Sequence, residues 1–110
     1  MGNVKFYLGV HARADIAKIR QYTIKKWGHN QWEKYKTALF KILQSLANNP
    51  YMGVNIEEIS NNAFRFPIKN YVIYYAKRED IVVFVGVIST EMSPQKHRMR
   101  VKNITDELNL

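Results

Sequence analysis

The sequence predicts one α+β domain in the order β-α-α-β-β-β, an antiparallel-type sheet with an N-terminal helical hairpin packed on it. Three observations carry this. Apolar and polar residues alternate at the start, and two stretches of helical period follow with only Gly28-His29 between them. The second half then breaks into strand-like runs joined by short polar links.

Val4, Phe6, Leu8 and Val10 alternate with Lys5, Tyr7 and Gly9, the period of a half-buried strand. From about Ala12 the period changes: Ala12, Ile16, Ile19 and Thr23 fall on one helical face, and Gly28 is placed to stop that helix. Asn30, with Glu33 three residues on, reads as a capping box opening a second helix whose stripe is Tyr35, Leu39, Ile42 and Leu46. Asn48-Asn49-Pro50 ends it, because proline disfavours a helical residue before it. Residues 50–63 read as a polar loop with a short strand at Val54–Ile59. Phe64–Ile68, Tyr71–Ala76 and Ile81–Ile88 read as strands, the last two joined by a loop at Lys77-Arg78-Glu79-Asp80. The continuous run Ile81–Val85 suits a strand covered on both faces. Residues 94–110 form a basic, then amphipathic tail, either a short helix or disordered, beyond a domain expected to span residues 1–93.

The chain has 110 residues, enough for a single core, and 46% hydrophobic residues, which excludes a disordered tail. Without cysteine there is no disulfide scaffold, thiol nucleophile or thiolate zinc site. No apolar run approaches the roughly 20 residues that span a bilayer, and the first residues lack a signal-peptide pattern, so a cytoplasmic protein is expected. The net charge is +8, and residues 1–50 alone carry nine basic and two acidic side chains. Such a half seeks a polyanion or an acidic protein, or is merely a solvated basic face.

Most catalytic templates fail. The five glycines are scattered, and His11, His29 and His97 lie in separate segments without ligand spacing, each reading as a surface or turn residue. Neither a cofactor nor a metal is expected. Glu57-Glu58 and Glu79-Asp80 fall in loops, where solvated charge explains them. Alternation puts Tyr71 and Tyr75 on one face of their strand and Tyr74 on the other, with Phe64, Arg65 and Phe66 on the neighbour. Phe64 and Phe66 read as core. The tyrosines fit either stacking on bases or a sheet-forming role.

At this point the chain resembles the ParE branch of the ParE/RelE toxin superfamily. Ala14-Asp15-Ile16-Ala17-Lys18-Ile19, then Tyr22-Thr23 and Trp27-Gly28, look like the family's A-x-D-L-x-x-I-x-x-Y-T-x-x-x-W-G opening. Gln31, Tyr35, Leu39, Leu46-Ala47-Asn48-Asn49-Pro50 and Gly53 continue it, followed by Glu58-Ile59, Phe64-Arg65-Phe66-Pro67, Tyr71-Val72-Ile73-Tyr74-Tyr75, Val87-Ile88 and Met92-Ser93. The likeness runs from about residue 4 to 93. Tyr71 and Ser89 stand where the family has histidines, Ser93 stands at its closing Asp, and Lys69-Asn70 replaces Gly-Ser.

The resemblance implies the toxin of a type II toxin–antitoxin system. ParE-like members trap DNA gyrase in its cleaved-DNA state and are neutralised by a ParD-like antitoxin, through which alone operator DNA is bound. No catalytic residue and no membrane are implied. RelE-like relatives instead cut mRNA in the ribosome, and the departures at Tyr71 and Ser89 also admit a degenerate, non-toxic member. An RNA cut needs a base for the 2′-OH and cations for the phosphorane. Arg65, Lys69, Tyr71, Tyr74, His97 and Arg98 are candidates, but the expected strands carry no histidine. Under the gyrase reading, target contacts are expected at Arg65, Tyr74, Met92, Ser93, His97 and Arg98, with a core plug as the alternative for Met92. Antitoxin contacts are expected at Lys25, Lys26, Lys36, Arg65 and Tyr71, Arg65 serving a carboxylate.

Overall fold

A computed structural model describes residues 2–108. The chain runs β1 (Phe6–Leu8), α1 (Val10–Trp27), α2 (His29–Asn48), a 3-10 turn at Pro50–Met52, β2 (Val54–Asn55), β3 (Ala63–Ile68), β4 (Tyr71–Lys77), β5 (Val82–Ser89) and α3 (Pro94–Leu108). The strand order is β1-β5-β4-β3-β2. Strands β2 to β5 pair antiparallel, but β1 lies parallel to β5 at the edge. The sheet is therefore mixed, a correction to the antiparallel expectation. Three successive reversals from β2 leave β5 running in the direction of β1, and the bonds Val82 N–H to Lys5 C=O (3.2 Å) and Gly9 N–H to Phe84 C=O (2.8 Å) dock the two.

The helical stripes form as read. Ala12, Ile16, Ile19 and Thr23 are buried on α1, and Leu39 and Leu46 on α2, joined there by Trp32 and Leu43. Helix α1 starts at Val10, two residues before Ala12, since β1 ends at Leu8 and Gly9 turns directly into the helix. Gly28, at φ 92°, closes α1 by donating its N–H to Ile24 C=O and is itself the residue preceding α2. Asn30 is consequently already helical, and no side chain caps α2, so the capping box does not form. The strand expected over Val54–Ile59 is shortened to Val54–Asn55. The Asn55 side-chain amide donates to Asn61 and Ala63 carbonyls at 2.9 Å, folding the chain into a turn there.

Each sheet face carries its own core. The hairpin covers Phe64, Ile73, Tyr75, Val82, Phe84 and Val87 on the inner face, and α3 covers Ala63, Tyr74, Ala76, Val85 and Ile88 on the outer. Tyr75 and Tyr74 thus lie on opposite faces, as alternation requires, and β5 is covered on both. The residues after Pro94 are a third helix rather than a loose tail; residues 109 and 110 lie outside the described residues. Two facts explain it. The Ser93 hydroxyl accepts the Lys96 N–H (3.3 Å) with Pro94 at the first helical position. Ile104 and Leu108, four apart, then bury themselves against the outer apolar face.

A register shift opposite Tyr74/Tyr75 makes Val85 the extra residue of β5 and turns Gly86 toward α3. Glycine eases the approach of α3 there, because a Cβ at Gly86 would stand 3.2 Å from Ile104 Cδ1, a contact that the isoleucine would have to yield by a few tenths of an ångström to admit. No helix among the described residues is long and apolar enough to cross a membrane.

Candidate functional site

The sequence-predicted residues fall into two groups on opposite sides of the sheet. On the outer face Arg65 of β3 stands directly across from Tyr74 of β4. The Tyr74 hydroxyl lies 3.4 Å from His97 Nε2, which α3 brings over the strand. Tyr74 is buried and its phenol pKa is raised by that burial, with Arg65 working in the opposite direction. His97 is half-buried against the sheet, not the surface or turn residue expected, because Ser93-Pro94 starts a helix whose inner face includes it. Arg98 follows it on the exposed side of α3, and Ser93 is the helix cap. Arg65, Tyr74 and His97 are thus brought together; Arg98 is their neighbour along α3.

On the other side, a cleft of about 560 Å³ opens between α1 and the ends of β4 and β5, within the roughly 300–1,000 Å³ range of ligand-burying clefts. One wall is Lys18, Tyr22 and Lys26, successive i, i+4 positions of α1. Asn70, Tyr71, Ser89 and Glu91 form the opposite wall; Ile19, Val87 and Met92 supply the apolar surface, and Asp15 and Arg100 close it. Lys26 Nζ donates to the Tyr22 hydroxyl at 2.9 Å and sits 5.4 Å from the ring centroids of both Tyr22 and Trp27. The bond from Lys26 to Tyr22 favours the ammonium and raises its pKa. The Tyr71 phenol is raised by burial, with Tyr22 and Glu91 adding to it. Below, burial pushes Tyr35 to about 12, and its hydroxyl has no partner among the described residues.

Lys26 and Tyr71 therefore share one cleft. Lys25 and Lys36 are exposed elsewhere on the hairpin, and Arg65 is on the far face of the sheet. The five residues expected to hold one partner are not a single surface, since helical neighbours such as Lys25 and Lys26 point about 100° apart. Met92 is half-buried, packing on the outer core while lining the cleft. A second concavity, beside residues 3–5 and the 77–82 loop, contains none of the expected site residues.

The sequence reading missed one feature. Strand β1 ends opposite Phe84, leaving the next stretch of β5 without a neighbouring strand. Asp15 of α1 fills the gap: its Oδ2 accepts the Val87 N–H at 2.8 Å. The same oxygen accepts from Arg100 Nη2 at 2.6 Å, the arginine reaching past Gly86 around the sheet edge from α3. With 7% of the Asp15 side chain and 18% of Arg100 exposed, this ion pair clasps the two helices across the sheet. The local signal was an acidic residue lodged on α1's buried stripe.

The fold is that of a small α+β protein with candidate residues gathered on both faces of one sheet. A family model described as the ParE toxin of the type II toxin–antitoxin system parDE matches residues 8–94, ending where α3 begins. The chain belongs to the ParE toxin family. A solved structure, described as the chromosomal ParDE TA system from P. aeruginosa, shares the fold with a TM-score of 0.66 at 10% identity, covering 80% of this chain and 97% of that one. No curated protein matches the chain.

Proposed function

We propose that this chain is a cytoplasmic toxin that binds DNA gyrase as a protein ligand, traps its cleaved-DNA complex, and is held harmless by a ParD-like antitoxin. The observation that carries the reading is the ParE family match over residues 8–94. Such a toxin needs no reaction of its own; it needs higher affinity for the cleaved-DNA state than for the others. The target surface is the outer face, where Arg65 offers a planar cation beside Tyr74 and His97, with Arg98 following on α3. Arginine and tyrosine are favoured anchors of protein interfaces. Operator DNA is reached through the antitoxin alone. The test is gyrase on supercoiled plasmid with purified toxin, with and without ATP. Accumulated linear, protein-linked DNA supports the reading, and untouched gyrase removes it.

One observation favours a second reading, RNA cleavage. The sheet strands carry no histidine, yet α3 sets His97 3.4 Å from Tyr74 beside Arg65, a base, a phenol and a cation in one place. Cut mRNA in a translating extract, abolished by His97→Ala, would select it over gyrase.

A further inference from the structure

We propose that the solvent face of the α1–α2 hairpin binds the phosphate backbone of double-stranded DNA without reading its sequence. This goes beyond the gyrase reading and does not rest on it: the toxin itself lies against DNA, not only against an enzyme that holds it.

Charge is the first support. Among the described residues of α1 and α2, all eight lysines and arginines are exposed, Glu33 is the one exposed acid, and Asp15 is buried. Glu33 lies 3.5 Å from His29, and none of the eight cations forms an ion pair among the described residues. A face charged for solubility alone mixes both signs, often as glutamate a turn away from lysine. Here the repulsion among like charges is left unrelieved.

Spacing is the second. Lys18 and Lys25 are seven residues apart on α1, as are Lys34 and Lys41 on α2. Seven residues are about two turns, so each pair returns to one side of its helix about 10.5 Å apart. The chain reverses at Gly28, which sets Lys25 roughly level with Lys34 and Lys18 with Lys41 on axes about 8–10 Å apart. A duplex carries one charge per about 1.7 Å of its length, so such a patch spans several phosphates.

The chemistry of the face selects the duplex. Helix α2 exposes no large hydrophobic side chain. It therefore lacks the anchors of a protein interface, where lysine is depleted, and the rings on which single strands stack their bases. The cations of α3 are fewer, Arg100 among them is tied to Asp15, and Asp106 is exposed beside them. Phosphate contacts alone read no bases, so this face gives no operator recognition.

The test is fluorescence anisotropy of a short labelled duplex of mixed sequence, titrated with the purified protein in the absence of gyrase. Four phosphate contacts predict a loss of about a hundredfold in affinity between about 50 and 200 mM salt. Lys34→Gln/Lys41→Gln should weaken binding by about tenfold or more at about 100 mM salt and reduce the salt slope by about two. Lys96→Gln/Lys102→Gln, the same charge change on α3 across the sheet, should cost less than about threefold. Circular dichroism of both variants should match wild type, since all four lysines are exposed. No duplex binding at low salt, equal losses in the two variants, or tighter binding of a single strand would each overturn the proposal. Because gyrase is absent, none of these results bears on the gyrase reading, which its own assay decides.

Discussion

The clasp between Asp15 and Arg100 allows a stability prediction worked from geometry. In Asp15→Ala the Val87 N–H loses its acceptor at 2.8 Å and Arg100 loses its counter-ion at 2.6 Å. A buried donor left without a partner costs about 1–3 kcal/mol. Breaking a fully buried ion pair costs about 3–5 kcal/mol, but Arg100 keeps 18% of its side-chain exposure and can turn toward water, which sets the total near the low end. The expected loss is about 3 kcal/mol against the roughly 5–15 kcal/mol that a domain of this size holds, or a fall in Tm of roughly 12 °C or more. Asp15→Asn keeps an oxygen for Val87 and loses only the charge, so it should cost about half as much.

Urea unfolding followed by circular dichroism at neutral pH measures all of these. Arg100→Ala and the double variant complete a mutant cycle, and the two single losses should exceed the double by at least about 1 kcal/mol. A loss below about 1 kcal/mol in Asp15→Ala, or strict additivity in the cycle, would falsify the clasp, since both results require that the two side chains stand alone.

Three further outcomes are expected. Tyr75→Phe removes the hydroxyl that donates to the Pro50 carbonyl at 2.6 Å and should cost about 1–2 kcal/mol in the same denaturation assay. That phenol is pushed to about 12 by burial, so wild type, unlike the variant, should lose stability as pH rises from the unfolded phenol's ordinary 10 through 12. Burial likewise raises the Glu107 carboxyl, and its Oε1 is buried without a partner. A carboxyl whose folded pKa lies above its unfolded value contributes stability at low pH that is lost as pH rises through the folded pKa. Glu107→Gln should therefore raise Tm at pH 7 and give no gain below the ordinary carboxylate range, which thermal melts across pH would show. Arg65→Glu should abolish gyrase-linked DNA cleavage while leaving Tm within about 2 °C, because Arg65 is exposed and surface substitutions cost little.

What could be read in advance follows the range of each interaction. The α1 stripe, Gly28 and the β3–β5 meander depend on neighbours within a few residues, and period alone places them. Helix α3 was legible in the same way, since Ser93-Pro94 is a start signal and His97, Ile104 and Leu108 recur at helical spacing. Disorder stood beside the short helix as an alternative because four cations and no acid between Lys96 and Lys102 also suit a solvated tail. The mixed sheet and the clasp were not legible. The β1–β5 pairing joins residues more than 70 apart, and the partners Asp15 and Arg100 are 85 apart. Period states that Asp15 faces the core, not what it meets there. The same limit split the expected antitoxin residues: adjacency in sequence put Lys25 with Lys26, while the helix turned them to different sides.

Arg100 is the α3 side chain that reaches from the outer face of the sheet to α1. Its Nη2 holds α3 to α1 by way of Asp15, and Arg100 is one of the residues lining the cleft on the α1 side. Helix α3 also positions His97 against Tyr74 on the outer face. A carboxylate that reached this guanidinium would share it with Asp15, so antitoxin binding at the cleft, where it occurs, and the seating of α3 would draw on one side chain. Arg100→Lys separates the two duties. Lysine restores a single charged donor toward Asp15 but lacks the planar fork that serves two carboxylates at once. The expected result is a stability loss of no more than about 1 kcal/mol by urea unfolding, together with a roughly tenfold loss of antitoxin affinity by calorimetry. Unchanged affinity in a variant that folds normally would mean that Arg100 serves the clasp alone, and the coupling between cleft and outer face would have no physical carrier.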